Sequence, residues 1–217
     1  MNQEEIISKI CEKLKAEFAN EVSGHDWWHL FRVWNTAKHI TQIEKANMFV
    51  VELGALLHDI ADWKFNNNDE SVGPKKVTAL LEPFEVSKDV IDQVCDIVAT
   101  VSFKGSAAIN KIKTIEGKIV QDADRLDAIG AIGIARAFAY GGFVKRPIYN
   151  PDEKYQSNQN EASYTKNNST SINHFYEKSL LLKDRMNTVT GRKMAESRHE
   201  YMKDYLEHFY REWDGEM

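Results

Sequence analysis

Apolar residues recur along most of the chain at the three- and four-residue spacing of an amphipathic α-helix. Near the N-terminus, five apolar side chains share one helical face: Ile6, Ile7, Ile10, Leu14 and Phe18. Asn2 precedes this face, and Glu5 lies three residues after Asn2, which is the arrangement of a capping box at a helix start. The same spacing returns over 30–40. The pattern predicts a chain built from helices.

The stretch 48–57 is almost continuously apolar. It predicts a buried central helix, although periodicity alone also allows a buried strand. A long helical pattern runs from 114 to 140, and Gly141 and Gly142 provide a stop signal for it. Further helices are predicted over the remaining periodic segments: 90–101, about 171–187 and about 192–213.

Composition supports long helices in one domain. Only 11 Gly and 4 Pro occur among 217 residues, so the chain has few of the residues that end helices. The one compositional break is 143–170, a polar stretch rich in Asn, Ser and Lys. Long stretches of this kind are usually functional or disordered. We therefore predict an all-α fold, a single domain over 1–217, with a polar mobile insertion at 143–170.

Charge and hydropathy exclude several classes of protein. The chain has 28 Lys and Arg against 33 Asp and Glu, a net charge of -5, whereas proteins that coat nucleic acid are basic. No apolar run approaches the roughly 18 to 20 residues of a membrane span, and the acidic first residues are unlike a signal peptide. Cys11 and Cys95 are the only cysteines. We expect a cytoplasmic protein without disulfides, membrane contact or a stable nucleic-acid partner.

Three short motifs in or at the ends of apolar helices are rich in aspartate, and the first two also contain histidine. The motifs are His25-Asp26-Trp27-Trp28-His29, His58-Asp59-Ile60-Ala61-Asp62 and Asp122-Ala123-Asp124-Arg125-Leu126-Asp127. Buried charge is costly unless it is paired, so each motif alone is compatible with a structural His–Asp pair or an Asp–Arg salt bridge. As a set, imidazole and carboxylate groups on separate helices suit a divalent transition ion. Four such ligands leave coordination positions for water and substrate.

The order of these motifs resembles the HD-domain metal-dependent phosphohydrolase superfamily, an all-helical family named for its His-Asp pair. The resemblance spans about residues 20–140. Segments 24–33 and 122–130 are similar to those of small stand-alone bacterial members, which are nucleotide pyrophosphohydrolase-like. The resemblance implies a compact multi-helix HD fold and four metal ligands: His29, His58, Asp59 and Asp124.

The same resemblance implies one divalent transition ion, manganese in first place and iron, cobalt, nickel or zinc otherwise. No histidine occurs between His58 and Asp124, whereas binuclear HD phosphodiesterases resemble each other in having further histidines there.

Asp62, one helical turn beyond Asp59, is at the offset where related hydrolases have an acidic residue that activates the attacking water. The alternative for Asp62 is a solvated carboxylate at a helix end.

Three neighbouring residues leave alternatives open. Asp122 lies on a different helical face from Asp124 and is either an outer partner of the site or solvated. Asp127, one turn from Asp124, either orients a ligand histidine or is itself the ligand. His25 either donates to the site from outside the ligand set or simply begins its helix.

The implied reaction is cleavage of (deoxy)nucleoside triphosphates to monophosphate and pyrophosphate. Alternatives are a nucleoside monophosphate phosphatase, an alarmone hydrolase, or a non-catalytic metal or nucleotide sensor. Lys104, Lys145 and Arg146 are candidate phosphate contacts, because cationic side chains bind phosphate. The insertion 143–170 is either a lid that closes over substrate, hinged at the two preceding glycines, or a permanently disordered loop.

Overall fold

The computed structural model describes residues 1–19, 21, 24–60, 71–101, 112–155 and 169–217. Within these ranges it contains nine α-helices, three 3-10 helices and no β-strand, which confirms the predicted all-α fold. The α-helices are α1 (Gln3–Glu17), α2 (Trp27–Glu44), α3 (Met48–Leu57), α4 (Val72–Leu81), α5 (Lys88–Thr100), α6 (Ile115–Asp127), α7 (Gly130–Phe143), α8 (Ser171–Glu177) and α9 (Val189–Trp213). The 3-10 helices are Glu82–Phe84, Ser179–Leu181 and Lys183–Arg185. In the part of the chain described, no helix is both long enough and apolar enough to cross a membrane.

The described residues fall into two compact units. Those of Met1–Phe103 and Ile109–Asp124 form the first unit, and those of Arg125–Met217 form the second. In the first unit, α3 packs against α1, α2 and α5. Its side chains are almost all buried, among them Val50, Val51, Leu53, Leu56 and Leu57. The apolar stretch 48–57 is therefore a central helix, as predicted, and the alternative of a strand is wrong.

The start of α1 confirms the predicted capping box. The Asn2 side chain accepts a hydrogen bond from the Glu5 backbone N–H at 2.8 Å, and the Glu5 carboxylate accepts one from the Asn2 N–H at 3.2 Å. These two bonds satisfy N–H groups that a helix start leaves without intrahelical partners. The buried face of α1 includes Ile6, Ile10 and Leu14, and α1 packs on α3.

The predicted single helix over 114–140 is two helices, α6 and α7, and the one-helix prediction is wrong. The break occurs at Gly130, where φ is +73°, a backbone conformation that residues other than glycine rarely adopt. A Cβ atom at this position would also lie 3.0 Å from the side chain of Arg198. The apolar spacing continues on both sides of the break, which is why the pattern alone did not show it.

The predicted helix end at Gly141 and Gly142 is also wrong, because α7 continues to Phe143. A Cβ at Gly141 would lie 2.3 Å from Ser171 Oγ, so this glycine permits close packing rather than ending the helix. The end comes later, where Lys145 has φ 58°. Lys145 N–H donates to the Gly142 carbonyl at 3.2 Å and Arg146 N–H to the Gly141 carbonyl at 2.7 Å, which together form a Schellman motif.

In the second unit, α7 packs against α8 and α9. The helix predicted over about 171–187 is shorter than expected. It ends at Glu177, and the chain continues through the two 3-10 helices between 179 and 185. The last helix begins at Val189, three residues before its predicted start, because Thr188 caps it through a 2.9 Å bond from Gly191 N–H.

Candidate metal centre

His29 lies in the first turn of α2 with its imidazole fully buried. Asp26 is the N-cap of this helix, and its carboxylate accepts a hydrogen bond from the His29 backbone N–H at 2.9 Å. This bond is typical of an aspartate N-cap and fixes the backbone at His29. The imidazole has no exposed surface. A buried imidazole needs polar partners, and the residues that follow α3 supply them.

His58 and Asp59 directly follow α3. His58 Nδ1 lies 2.8 Å from the carbonyl oxygen of Ala55. Because a carbonyl can only accept a hydrogen bond, Nδ1 carries the proton, and in the neutral imidazole Nε2 then carries the lone pair that can bind a metal ion. That Nε2 lies 3.2 Å from Nε2 of His29. The unprotonated nitrogen of His58 therefore faces the second histidine.

Two carboxylates complete the cluster. Asp59 Oδ2 lies 3.3 Å from His29 Nε2 and 3.4 Å from His58 Nε2. Asp124, on α6, places Oδ1 at 3.6 Å and 3.8 Å from the same two nitrogens. The structure thus brings together all four residues that the family resemblance implied as ligands, and all four belong to the first compact unit.

The spacing of these atoms fits a divalent ion. Metal–ligand bonds of about 2.1 Å place neighbouring ligand atoms about 3.0 Å apart in an octahedral site and about 3.4 Å apart in a tetrahedral one. The five distances above range from 3.2 to 3.8 Å. His29, His58 and Asp124 form one group able to hold an ion, and His25, His29 and Asp59 form another. Neutral imidazoles with carboxylates are a suitable donor set for transition ions.

The environment of Asp59 favours the ionised carboxylate. Burial by itself raises the pKa of this carboxyl. The nearby His58 and His25 imidazoles, and hydrogen bonds from His25 and His29, lower it by more, so the pKa lies well below its usual value. The carboxylate is therefore anionic near neutral pH, which is the form that binds a metal ion.

His25 contacts this cluster and does not begin the helix. It precedes the N-cap Asp26, and its Nδ1 lies 2.6 Å from Asp59 Oδ2. Its side chain is 36% exposed, whereas that of Asp59 is 11% exposed. Of the two alternatives that the sequence left open for His25, the structure supports the one in which it reaches the site.

The other acidic residues of α6 differ from Asp124. Asp122 is fully buried, so the alternative of a solvated side chain is wrong. Asp127 Oδ2 accepts a hydrogen bond from Arg136 Nη1 at 2.9 Å, and the pair is largely buried. This ion pair occupies Asp127 within the second unit, whereas Asp124 faces the two histidines.

Two arginines that the sequence motifs did not indicate contact the last turn of α6. Arg136 pairs with Asp127, and Arg198 Nη1 donates to the Leu126 carbonyl oxygen. A cation at the last carbonyls of a helix offsets the negative end of the helix dipole. Arg198 lies 72 residues beyond its acceptor, and no sequence motif joins the two.

The remaining predicted site residues lie in the second compact unit or outside the described residues. Asp62 and Lys104 lie outside the described residues. Lys145 is exposed at the end of α7, and the Arg146 guanidinium lies 5.8 Å from the centre of the Tyr140 ring. The hinge predicted at Gly141 and Gly142 is wrong in one respect, because Gly141 lies inside α7. The helix that carries Asp124 is α6, which ends at Asp127. Residues 156–168 of the insertion lie outside the described residues.

Comparison with known proteins shows the family of this chain. Residues 27–129 match the HD domain family, and the chain belongs to that family. YpgQ of Bacillus subtilis is 39% identical over 197 residues, which are 90% of this chain and 88% of YpgQ.

Two crystal structures extend the similarity across the chain. An HD-superfamily hydrolase from Bacillus thuringiensis is 42% identical, with a TM-score of 0.77, over 98% of this chain and 99% of its own. The crystal structure of YpgQ in complex with ADP is 36% identical in the aligned region, with a TM-score of 0.74. It covers 95% of this chain and 97% of its own. These relatives are of nearly the same length as the chain.

Proposed function

We propose that this protein is a metal-dependent phosphohydrolase that acts on nucleotides. The observation that carries the proposal is the convergence of His29, His58, Asp59 and Asp124 at the separations of ligands around one ion. We propose these four as the ligands of a single divalent transition ion, with manganese as the first choice. Membership of the HD domain family and the similarity to an HD-superfamily hydrolase support the hydrolytic role.

Each residue has a defined task in this proposal. A bound divalent ion supplies Lewis acidity toward a phosphoryl oxygen and lowers the pKa of water. His29 and His58 bind through Nε2 as neutral imidazoles, while Asp59 and Asp124 supply two negative charges. Four donors leave room for water and substrate around an ion that takes six. Asp62 accepts the proton of the attacking water.

The ADP complex of the similar protein YpgQ supports a nucleotide ligand for this chain. We propose (deoxy)nucleoside triphosphates as substrates, with monophosphate and pyrophosphate as products. Lys104, Lys145 and Arg146 are proposed phosphate contacts, since ammonium and guanidinium groups bind phosphate oxygens. We also propose a cytoplasmic location, because a chain of 217 residues with only two cysteines is typical of a reducing compartment.

The experiment is a hydrolysis assay against a nucleotide panel with Mn²⁺, Co²⁺, Ni²⁺, Zn²⁺ or Mg²⁺, followed by chromatographic separation of the products. The panel contains nucleoside mono-, di- and triphosphates, deoxynucleotides and an alarmone. Monophosphate with pyrophosphate is the expected result. Nucleoside with free phosphate would indicate a monophosphatase, and turnover of the alarmone alone would indicate an alarmone hydrolase. Tight metal or nucleotide binding without turnover would indicate a sensor.

A further inference from the structure

His25 makes the shortest contact in the cluster. Its Nδ1 lies 2.6 Å from Asp59 Oδ2, and its ring is edge-on to His29 with 5.3 Å between the ring centres. Among the residues that the structure describes, His25 is the side-chain partner of Asp59 outside the four proposed ligands. Its role is therefore either that of a fifth ligand or that of a donor to Asp59.

The distance separates these two roles. Two atoms bound to one ion by bonds of about 2.1 Å are at least about 3.0 Å apart when they are neighbours. The contacts of Asp59 Oδ2 with His29 and His58, at 3.3 and 3.4 Å, satisfy this condition. The 2.6 Å contact with His25 is too short for two ligands of one ion and is that of a short hydrogen bond.

We infer that His25 is a positioning residue, which donates its Nδ1–H to Asp59 and holds that carboxylate toward the ion without binding the ion itself. This inference rests on the proposed metal centre. A carboxylate that binds a metal ion can only accept a hydrogen bond, so His25 Nδ1–H is the donor in the 2.6 Å contact. A carboxylate can rotate about its Cβ–Cγ bond, and a bond to Oδ2 from outside the ligand set restricts this rotation. Such outer partners typically contribute about 10- to 100-fold in metal affinity.

Isothermal titration calorimetry of Mn²⁺ binding tests this inference in four proteins: wild type, His25→Ala, His25→Asn and His39→Ala. The asparagine amide places an N–H donor near the position of Nδ1, so it should restore the bond. His39 is an exposed histidine on the same helix and provides the matched control. Circular dichroism of each metal-free protein checks that the variants are folded.

We expect the Kd for Mn²⁺ to rise about 10- to 100-fold in His25→Ala and to stay within a few-fold of wild type in His25→Asn and His39→Ala. Unchanged affinity in His25→Ala, beside normal binding by wild type, would overturn the positioning role alone. Wild type that binds no divalent ion would overturn the proposed function and this inference with it. If His25→Ala is unfolded, His25→Asn decides, because a large loss of affinity in that folded variant would contradict the role of the N–H donor.

A second readout counts the histidine ligands. In the Co²⁺ form, each coordinated imidazole gives one paramagnetically shifted, exchangeable N–H signal in the proton NMR spectrum. We expect two such signals in wild type and two in His25→Ala. Three signals in wild type with one lost in His25→Ala would make His25 a ligand and overturn the inference.

Discussion

The Nε2 atoms of His29 and His58 face each other at 3.2 Å, although 29 residues separate them in the chain. Both imidazoles are buried, with 0% and 3% of each residue exposed. Because Nδ1 of His58 is engaged with the Ala55 carbonyl, its second nitrogen is held in this direction. One ion can therefore contact both residues, and the ligand set can be tested one side chain at a time.

Replacement of His58 or Asp124 by alanine should lower the metal content and abolish hydrolysis. Loss of one donor weakens the site and leaves the remaining buried groups without their partner, so some stability should be lost as well. We expect the metal content, measured by mass spectrometry of the purified protein, to fall at least about tenfold. His208→Ala, which alters an exposed histidine on α9, is the control and should keep its metal. Full metal content in both His58→Ala and Asp124→Ala would refute the ligand assignment.

Asp62→Asn should separate catalysis from metal binding. The amide keeps the shape of the carboxylate but cannot accept a proton at neutral pH. We expect metal content near that of wild type and a fall in kcat of about 10²- to 10⁴-fold, the usual range for a general base. Steady-state kinetics with saturating metal provide the measurement. An unchanged kcat would mean that Asp62 is a solvated carboxylate with no part in the reaction.

Neutralisation of Lys145 and Arg146 should impair the recognition of long phosphate chains. The double variant Lys145→Gln, Arg146→Gln keeps side-chain length, which matters because Arg146 lies beside the Tyr140 ring. We expect KM for triphosphates to rise clearly more than KM for monophosphates, with kcat less affected. Lys203→Gln, at an exposed position on α9, is the control. An equal change in KM for both substrates would exclude a role in reading the polyphosphate.

Gly130→Ala should destabilise the protein. The substitution forces a side chain into φ +73° and places its Cβ 3.0 Å from Arg198. We expect the free energy of unfolding to fall by about 1 to 3 kcal/mol in urea denaturation.

Gly142→Ala is a matched control of opposite sign. Gly142 lies in α7, is exposed, and has no atom within 4 Å of an added Cβ. Alanine in a helix is more favourable than glycine by about 0.5 to 1 kcal/mol, so this variant should be slightly stabilised. If both variants have the stability of wild type, the conformation assigned to Gly130 is wrong.

Stability should decrease in mild acid because of His174. Burial, followed by repulsion from Lys178 and Arg146, lowers the pKa of this imidazole from 6.5 to about 3. Between these values the unfolded chain binds the proton and the folded chain does not, so stability falls as pH decreases below about 6.5. The expected loss is about 1 to 2 kcal/mol between pH 7 and pH 5.

His174→Gln should remove this part of the pH dependence. We expect the difference in unfolding free energy between wild type and His174→Gln to change with pH in urea denaturation at pH 5, 6 and 7. His208→Gln, on the exposed side of α9, should follow wild type at each pH. Parallel pH profiles for wild type and His174→Gln would contradict the lowered pKa.

The helices were predictable where burial and local sequence agree. The apolar run 48–57 has no polar face, so burial in the core followed from it, and Asn2 with Glu5 predicted a local bond that the structure contains. The break at Gly130 was not predictable from periodicity, because apolar residues lie on both sides of it. The close approach of Arg198, which is distant in sequence, is one reason why this position requires glycine.

The same limit applies to the candidate site. The motifs indicated which residues are chemically suited to hold a metal ion, and the structure brings His29, His58, Asp59 and Asp124 together. The role of His25 stayed open in the sequence, because its contact with Asp59 joins residues 34 apart. Hydrogen-bond partners across such separations depend on helix packing and leave no local signal.

His58 and Asp59 are each oriented by one hydrogen bond, to the Ala55 carbonyl and to His25 respectively. Substitutions remove the second of these bonds more easily than the first. His58 is oriented by the main-chain carbonyl of Ala55, and every amino acid at position 55 would supply that oxygen. Asp59 is oriented by the side chain of His25, which a single nucleotide change can replace. In a mutational scan, position 55 should therefore tolerate any residue that fits the core, whereas position 25 should accept only side chains that offer an N–H donor. The orientation of His58 is thus retained wherever α3 forms, whereas the orientation of Asp59 must be maintained by selection on position 25.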